Sequence, residues 1–328
     1  MINGLSHILE GLTSMNPTSR MLIQSALMHI KDFIYNLLYF AEHSPTDQEL
    51  AQLRNLVLSL PSKSRLKYNE ECNFIESLGP AELHKMFIPY GANHNCDMSR
   101  GGVVGYSQGL AYVEHGNSSK KVFFPRYMKP VDVAFAYSVL VGIEGILGAA
   151  ISPHSYQDSA HMVECNDVIL DIGCAEALFA LDNIEKASKV YLFESLKDWR
   201  KPLLLTFAPY KGKTVLVNKL VADKTTRKTT TIADVVQECG SPDSKFFVKM
   251  DIEGCERDVI KGNADFFRNN KVKLSCCCYH RQDDAVVIEK LLKDMGYSTR
   301  FSEGYMLTPM NGIHYPYFRR GVIYAQNF

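Results

Sequence analysis

The chain runs to 328 residues and carries 36 Lys and Arg against 36 Asp and Glu. A chain of that length makes one large domain or two modest ones, and so even a charge balance supplies no global field to draw it to nucleic acid or an anionic membrane. The nine cysteines are an odd number with no two-CxxC spacing, and no signal-like leader precedes them. Reduced thiols in a cytoplasm are therefore expected, and sulfur-bound structural zinc is not.

In chain order, the pattern up to about Pro61 is helical. The stretch "MLIQSALMHIKDFIYNLLYF" (Met21 to Phe40) contains Gln24, His29, Lys31, Asp32 and Asn36, too many polar groups for a membrane span, which needs about 20 predominantly apolar residues. Ile23, Leu27, Ile30, Ile34, Leu37 and Leu38 fall three or four apart and make one apolar face. That face suits either a homo-oligomer contact through the N-terminal helices or packing on the chain's own body. "SPTDQE" (Ser44 to Glu49) supplies turn and cap chemistry before a second helix. "GLAYVEHGNSSKKVFFP" (Gly109 to Pro125) alternates polar and apolar residues on both sides of Gly116, Asn117, Ser118 and Ser119, a hairpin pattern. From Asp167 onward the character changes to short apolar runs between helical segments: "DVILDI", "KVYLFE", "KTVLVNKLV", "KFFVKMD", "VKLSCCCY" and a terminal "GVIYAQ". Strands alternating with helices imply an α/β, mostly parallel sheet covered on both faces, with Cys276, Cys277 and Cys278 inside one strand. The expected organisation is a helical region over residues 1–65, an α+β connecting or cap region over 66–160, and a ligand-binding domain over 161–328.

In such a sheet the ligand lies beyond the carboxyl ends of the strands, where the strand order reverses. The residues at those ends are polar: Asp171 and Gly173, then Glu194, Asp223, Asp251 and His280. Glu194 lies 23 positions after Asp171, near the spacing at which an acid on the second strand accepts hydrogen bonds from a ribose diol. A dinucleotide pyrophosphate needs several glycines for close backbone approach, whereas the glycine after Gly173 is Gly212. Acids at Asp171 and Glu176 would also repel it. A nucleoside with a cationic amino-acid tail fits better, and S-adenosylmethionine (SAM) is such a ligand. The cofactor-binding candidates are Asp171, Gly173, Cys174, Glu176, Glu194 and Asp223; the blander alternative is that the acids cap their helices.

The stretch "FVKMDIEGCERDVIKG" (Phe247 to Gly262) places Asp251 at a strand end, Glu253 just beyond it, and Gly254 in a turn ahead of a helix closed by Gly262. Lys249 through Glu256 resembles the signature of the FkbM-like family of SAM-dependent methyltransferases. Further resemblance lies in "SPHSY" (Ser152 to Tyr156), "VYLFE" (Val190 to Glu194), "CYHRQDD" (Cys278 to Asp284) and "YFRRGVIYA" (Tyr317 to Ala325). It extends over roughly Gly109 to Phe328. The resemblance implies a class I, Rossmann-like methyltransferase fold, with a seven-stranded, mostly parallel sheet whose last strand is antiparallel. It also implies O-methylation of a sugar, glycan or glycosylated metabolite. The family commonly has glycine at the position of Ala177 and paired acids where Ala233 and Asp234 stand, which keeps open a catalytically silent SAM-fold scaffold.

Methyl transfer is an in-line displacement that needs alignment and a base for the hydroxyl proton. His280 is the expected base, with Asp251 orienting it or accepting the proton itself. His154 and Tyr156 are expected to fold over the crevice toward substrate, with Glu253 a further substrate contact. Asp251, Glu253 and His280 could alternatively hold Mg²⁺ against a sugar diol. Arg319 and Arg320 read as a solvated strand start or an anion grip.

Overall fold

Most of the strands that read as apolar runs are buried on both faces and form the middle of the sheet; Thr214–Val217, only partly buried, lies at its edge. A computed structural model describes residues 47–89, 103–149, 151–236, 244–307 and 317–328; the Met21 to Phe40 segment and any oligomer contact through it lie outside them. Chain contacts separate residues 1–50 from residues 51–328. Ahead of the sheet come helices Asp47–Leu58, Ser62–Lys67 and Asn69–Ser77.

Strands β1 (Gly105–Ser107), β2 (Leu110–Glu114) and β3 (Lys121–Phe123) form a small antiparallel sheet, with the expected hairpin turn between the last two. Helix Pro130–Glu144 follows and ends at Gly145, which adopts the left-handed conformation at φ 68°, the usual glycine role at a helix C-terminus. The large sheet then begins. Its strands are β4 (Val168–Ile172), β5 (Lys189–Phe193), β6 (Thr214–Val217), β9 (Lys245–Met250), β10 (Lys271–Cys277), β11 (Ser298–Phe301) and β14 (Val322–Gln326). Two short pairs stand apart from it, β7 (Leu220–Val221) with β8 (Thr229–Thr230) and β12 (Met306–Leu307) with β13 (Phe318–Arg319).

The order across the large sheet is β11-β14-β10-β9-β4-β5-β6. Neighbours from β10 through β6 are parallel, and β14 is antiparallel to both β10 and β11. This is the class I methyltransferase arrangement, with the last strand reversed. Side chains alternate between two cores. Ile169 and Phe247 join the layer that includes Phe179 and Leu203, while Leu170, Val248 and Met250 join the one with Ile260, Phe267 and Ile288.

From β4 the chain proceeds one way to β5 and β6, and on return goes the other way to β9 and β10. The strand order therefore reverses between β4 and β9, and the ends of these two strands frame the crevice. Two features depart from the sequence reading. "KTVLVNKLV" divides at Asn218, and only its first half joins the large sheet. Ser298–Phe301, a polar stretch absent from the apolar runs, is an edge strand paired on one side with β14.

Candidate active site

Parallel pairing puts Asp171 of β4 opposite Lys249 of β9. Both are buried, and Lys249 Nζ lies 3.2 Å from Asp171 Oδ1 while donating a hydrogen bond to the Gly173 carbonyl at 2.7 Å. Burial works against the Lys249 charge, but Asp171, Asp251 and Glu144 outweigh it and raise its pKa. Lys249 partly offsets the Asp171 charge, but burial outweighs it and raises the carboxyl.

Gly173 follows directly, at φ 73°, and a Cβ there would sit 2.0 Å from the Asp251 carbonyl oxygen. Its glycine is required by the close approach of two strand ends, before any ligand is considered. The turn continues through Cys174, Ala175, Glu176 and Ala177. Ala175 and Ala177 both take positive φ, 43° and 59°, conformations that cost an L-residue about 1 kcal/mol or more. Cys174 is buried and its thiol is pushed up by burial. Glu194 has both oxygens engaged by backbone amides, Oε2 by Ala175 at 3.1 Å and Oε1 by Leu196 at 2.7 Å. It fixes the turn and the start of helix Lys197–Thr206 together.

Asp251 is the hub of the cluster. Tyr156 donates its hydroxyl to Asp251 Oδ2 at 2.8 Å, His154 Nε2 is 3.5 Å from the same oxygen, and His280 Nε2 is 3.3 Å from Oδ1. Burial alone would raise this carboxyl; the bond to His154 and the charges of His280, His154 and Lys249 reverse the effect and hold it well below the usual range. The His154 to Tyr156 segment is not an open lid. His154 and Tyr156 are 6% and 2% exposed, because Ser275 and Tyr324 donate to the Tyr156 and Ser155 carbonyls at 2.6 and 2.7 Å and pin the segment to β10 and β14. Both side chains reach Asp251 Oδ2.

His280, 1% exposed, stands among carboxylates. Its Nδ1 is 3.0 Å from Glu256 Oε1, and its Nε2 is 3.5 Å from Glu253 Oε2. Glu256 is fully buried at the start of helix Glu256–Gly262 and also accepts the Ile252 amide at 3.0 Å. Burial disfavours the imidazolium, yet Glu256, Glu253 and Asp251 push the His280 pKa up to about 10. That direction favours the charged imidazolium over the neutral base expected from the sequence. Arg319, buried rather than solvated, donates to the Tyr279 and His280 carbonyls at 2.7 and 3.2 Å and fixes this loop. Glu253 takes a left-handed φ of 58°, and its side chain is 39% exposed. Although partly exposed, its carboxyl sits in the crowded cluster, where partial desolvation and the charges of Asp251 and Glu256 raise it to about 7 against the charge of His280.

The structure does not bring Asp223 into this cluster. The chain leaves the large sheet at Asn218, and exposed Asp223 packs against Gly262, at the opposite end of its helix from Glu256. Sequence reasoning missed the roles of Lys249 and Glu256; both stand in the signature, but their function depends on partners from other elements. Among the described residues, Asp251, Glu253 and His280 offer potential metal ligands within 4.8 Å of one another, as do His154, Asp251 and Cys277.

No curated protein matches the chain. Among solved structures it is similar to the methyltransferase FkbM from Methylobacillus flagellatus KT, at 18% identity over 60% of this chain and 54% of that one, with a TM-score of 0.42. The chain thus spans about half the length of that protein. It is also similar to precorrin-6y C5,15-methyltransferase from Geobacter metallireducens GS-15, at 13% identity over 51% and 85% of the two chains and a TM-score of 0.34. A third is SMU.1697c from Streptococcus mutans, whose structure is a complex with SAH, at 12% identity over 50% and 90% and a TM-score of 0.31. Residues 149–299, the segment that contains the Asp251 cluster, match the family model for the methyltransferase FkbM domain.

Proposed function

We propose that this chain transfers the methyl group of SAM to a hydroxyl of a sugar, glycan or glycosylated metabolite, with Glu253 receiving the hydroxyl proton. The observation that carries the reading is the place of Glu253, a partly exposed acid in left-handed backbone whose Oε2 lies 3.5 Å from His280 Nε2; burial, Asp251 and Glu256 push its carboxyl up to about 7. A base works best when its pKa lies near the operating pH, and backbone strain of this kind collects at functional sites. His280, charged near pH 7, serves instead as a positive post that holds Asp251 and Glu253 in register. Asp251 stays ionised and aligns the acceptor.

The chemistry of the crevice suits SAM, which when bound supplies a methyl group activated by a sulfonium. Glu194 keeps free lone pairs for a ribose diol beyond the amides it already accepts. Glu176 offers a buried carboxyl for the amino-acid end, in a turn that has no glycine run for a pyrophosphate. The sugar acceptor rests on the family resemblance. Mg²⁺ suits the residues poorly, because it favours an all-oxygen octahedron and His280 would offer it a nitrogen, so no step is assigned to it.

The test is transfer of labelled methyl from SAM to a panel of sugar nucleotides and glycans. Glu253→Gln should lower kcat by about 10²- to 10⁴-fold, with SAM affinity little changed. Because the base acts only when deprotonated, the wild-type rate should rise as pH passes through about 7. A Glu253→Gln variant with full turnover refutes the assignment, and a chain that binds SAM yet methylates nothing on the panel favours the scaffold reading.

A further inference from the structure

Asp251 presents its two carboxylate oxygens to different neighbours. Oδ1 faces His280, and Oδ2 faces His154 and Tyr156. On the Oδ2 side, Lewis-basic atoms from three parts of the chain converge: Asp251 at the end of β9, His154 from the segment pinned to β10 and β14, and Cys277 at the end of β10. His154 Nε2 lies 3.5 Å from Asp251 Oδ2 and 3.8 Å from Cys277 Sγ, and one ligand atom from each of the three residues falls within 4.8 Å of the others. Both His154 and Cys277 are buried. No cysteine spacing in the sequence announces this cluster, because a single thiol takes part.

The separations suit a shared ion better than direct contact. A hydrogen bond between an imidazole and a carboxylate closes to about 2.7–2.9 Å, so 3.5 Å leaves it stretched. Zinc bonds of about 2.0–2.1 Å to nitrogen, 2.0–2.2 Å to oxygen and 2.3 Å to sulfur, set at tetrahedral angles, put the nitrogen about 3.4 Å from the oxygen and about 3.6 Å from the sulfur. The distances in the fold differ from these by about 0.1 and 0.2 Å, within the tolerance of a real site. Two phenols adjoin the set. Tyr156 Oη is 2.8 Å from Asp251 Oδ2 and 4.0 Å from Cys277 Sγ, and Tyr279 Oη is 3.1 Å from His154 Nε2, so an oxygen stands near for the fourth corner. Nitrogen, carboxylate and thiolate together select a borderline-soft divalent ion, whereas magnesium and calcium prefer oxygen alone.

We infer that His154, Asp251 and Cys277 form a zinc site that clamps the His154 to Tyr156 segment and the ends of β9 and β10 to one another. The inference does not depend on the methyl-transfer reading, since the ion takes Oδ2 and leaves Oδ1 turned toward His280.

Zn²⁺ and Co²⁺ are the probes, added to the full chain in reducing buffer after treatment with chelator. The protein should take up one Zn²⁺ per chain, and Co²⁺ in its place should give the near-ultraviolet charge-transfer band of a thiolate ligand. Cys277→Ser should lose that band and bind Co²⁺ at least about 100-fold more weakly, beyond what loss of an outer partner costs. Cys276→Ser, whose side chain belongs to the opposite core, should keep the band and the affinity. Wild type that takes up no Zn²⁺, Co²⁺ bound without a thiolate band, or a band that survives in Cys277→Ser overturns the site and leaves the SAM reading as it stands. Should Cys277→Ser fail to fold, His154→Gln decides: a loss of Co²⁺ affinity of about 100-fold supports the site, and affinity within about threefold of wild type overturns it.

Discussion

Gly173→Ala tests the joint on which the site is built. The added Cβ would lie 2.0 Å from the Asp251 carbonyl oxygen and 2.9 Å from Ile252 Cγ2. The first contact is with backbone, so no side-chain rotation relieves it. Either the turn after β4 or the end of β9 must move by more than an ångström, and the Asp251 amide that donates to Ile172 at 3.0 Å moves with it. Left-handed backbone costs alanine about 1 kcal/mol or more, overpacking typically costs about 1–3 kcal/mol, and loss of the amide bond costs about 1 kcal/mol. The variant should lose about 3–5 kcal/mol in urea denaturation followed by circular dichroism, and methyl transfer should fall with it because Asp251 is displaced. Gly212→Ala is the control. Its Cβ would meet nothing within 4 Å, so its stability should stay within about 0.5 kcal/mol of wild type. A Gly173→Ala protein within about 1 kcal/mol of wild type would refute the close-approach argument.

Other changes probe the surroundings. Tyr156→Phe removes the hydroxyl donated to the Asp251 carboxylate at 2.8 Å and should cost about 1.5–3 kcal/mol in the same denaturation assay; no loss would mean that this bond contributes nothing net. Arg319→Ala frees the Tyr279 and His280 carbonyls and should lower kcat about 10- to 100-fold through misplacement of His280, with SAM affinity by calorimetry unchanged. Glu176→Gln bears on pH. The folded chain keeps the Glu176 proton to about 7, against 4.5 in the unfolded chain, so wild type loses stability as pH rises through that window. The glutamine variant should match wild type below about pH 4.5 and exceed it above 7 by up to about 3 kcal/mol, read from urea midpoints at each pH.

How much was legible in the sequence depended on how local each cause was. β4 and β9 announced themselves because strands covered on both faces are apolar throughout. Ser298–Phe301 did not, because an edge strand with alternating exposed positions carries polar residues that read as loop. The acids of the site were visible as strand ends, but their electrostatic roles were not. Asp171 meets Lys249 only through the register of β4 against β9, and 78 positions separate them in the sequence. The charge on His280 likewise depends on Glu256, which enters from a helix, and no spacing rule joins the two. Tyr156 and His154 look like loop residues until the carbonyls of their segment are seen tied to β10 and β14.

The same electrostatics bear on what the crevice can hold. His280, His154 and Lys249 hold Asp251 ionised, whereas at Asp171 burial outweighs Lys249 and raises the carboxyl. At Glu144 and Glu176 burial likewise outweighs Lys249 and raises the carboxyl, with the charge of Glu176 adding to the effect at Glu144 and those of Asp171 and Glu194 at Glu176. A pyrophosphate would add negative charge beside Glu176 and deepen that penalty. A cation reverses it, because ionised carboxylates that are unfavourable alone become favourable partners at short range in a water-poor site. Stability given up in the unliganded protein is thereby returned as affinity, which gives a physical reason to keep a destabilising acid in a strained turn.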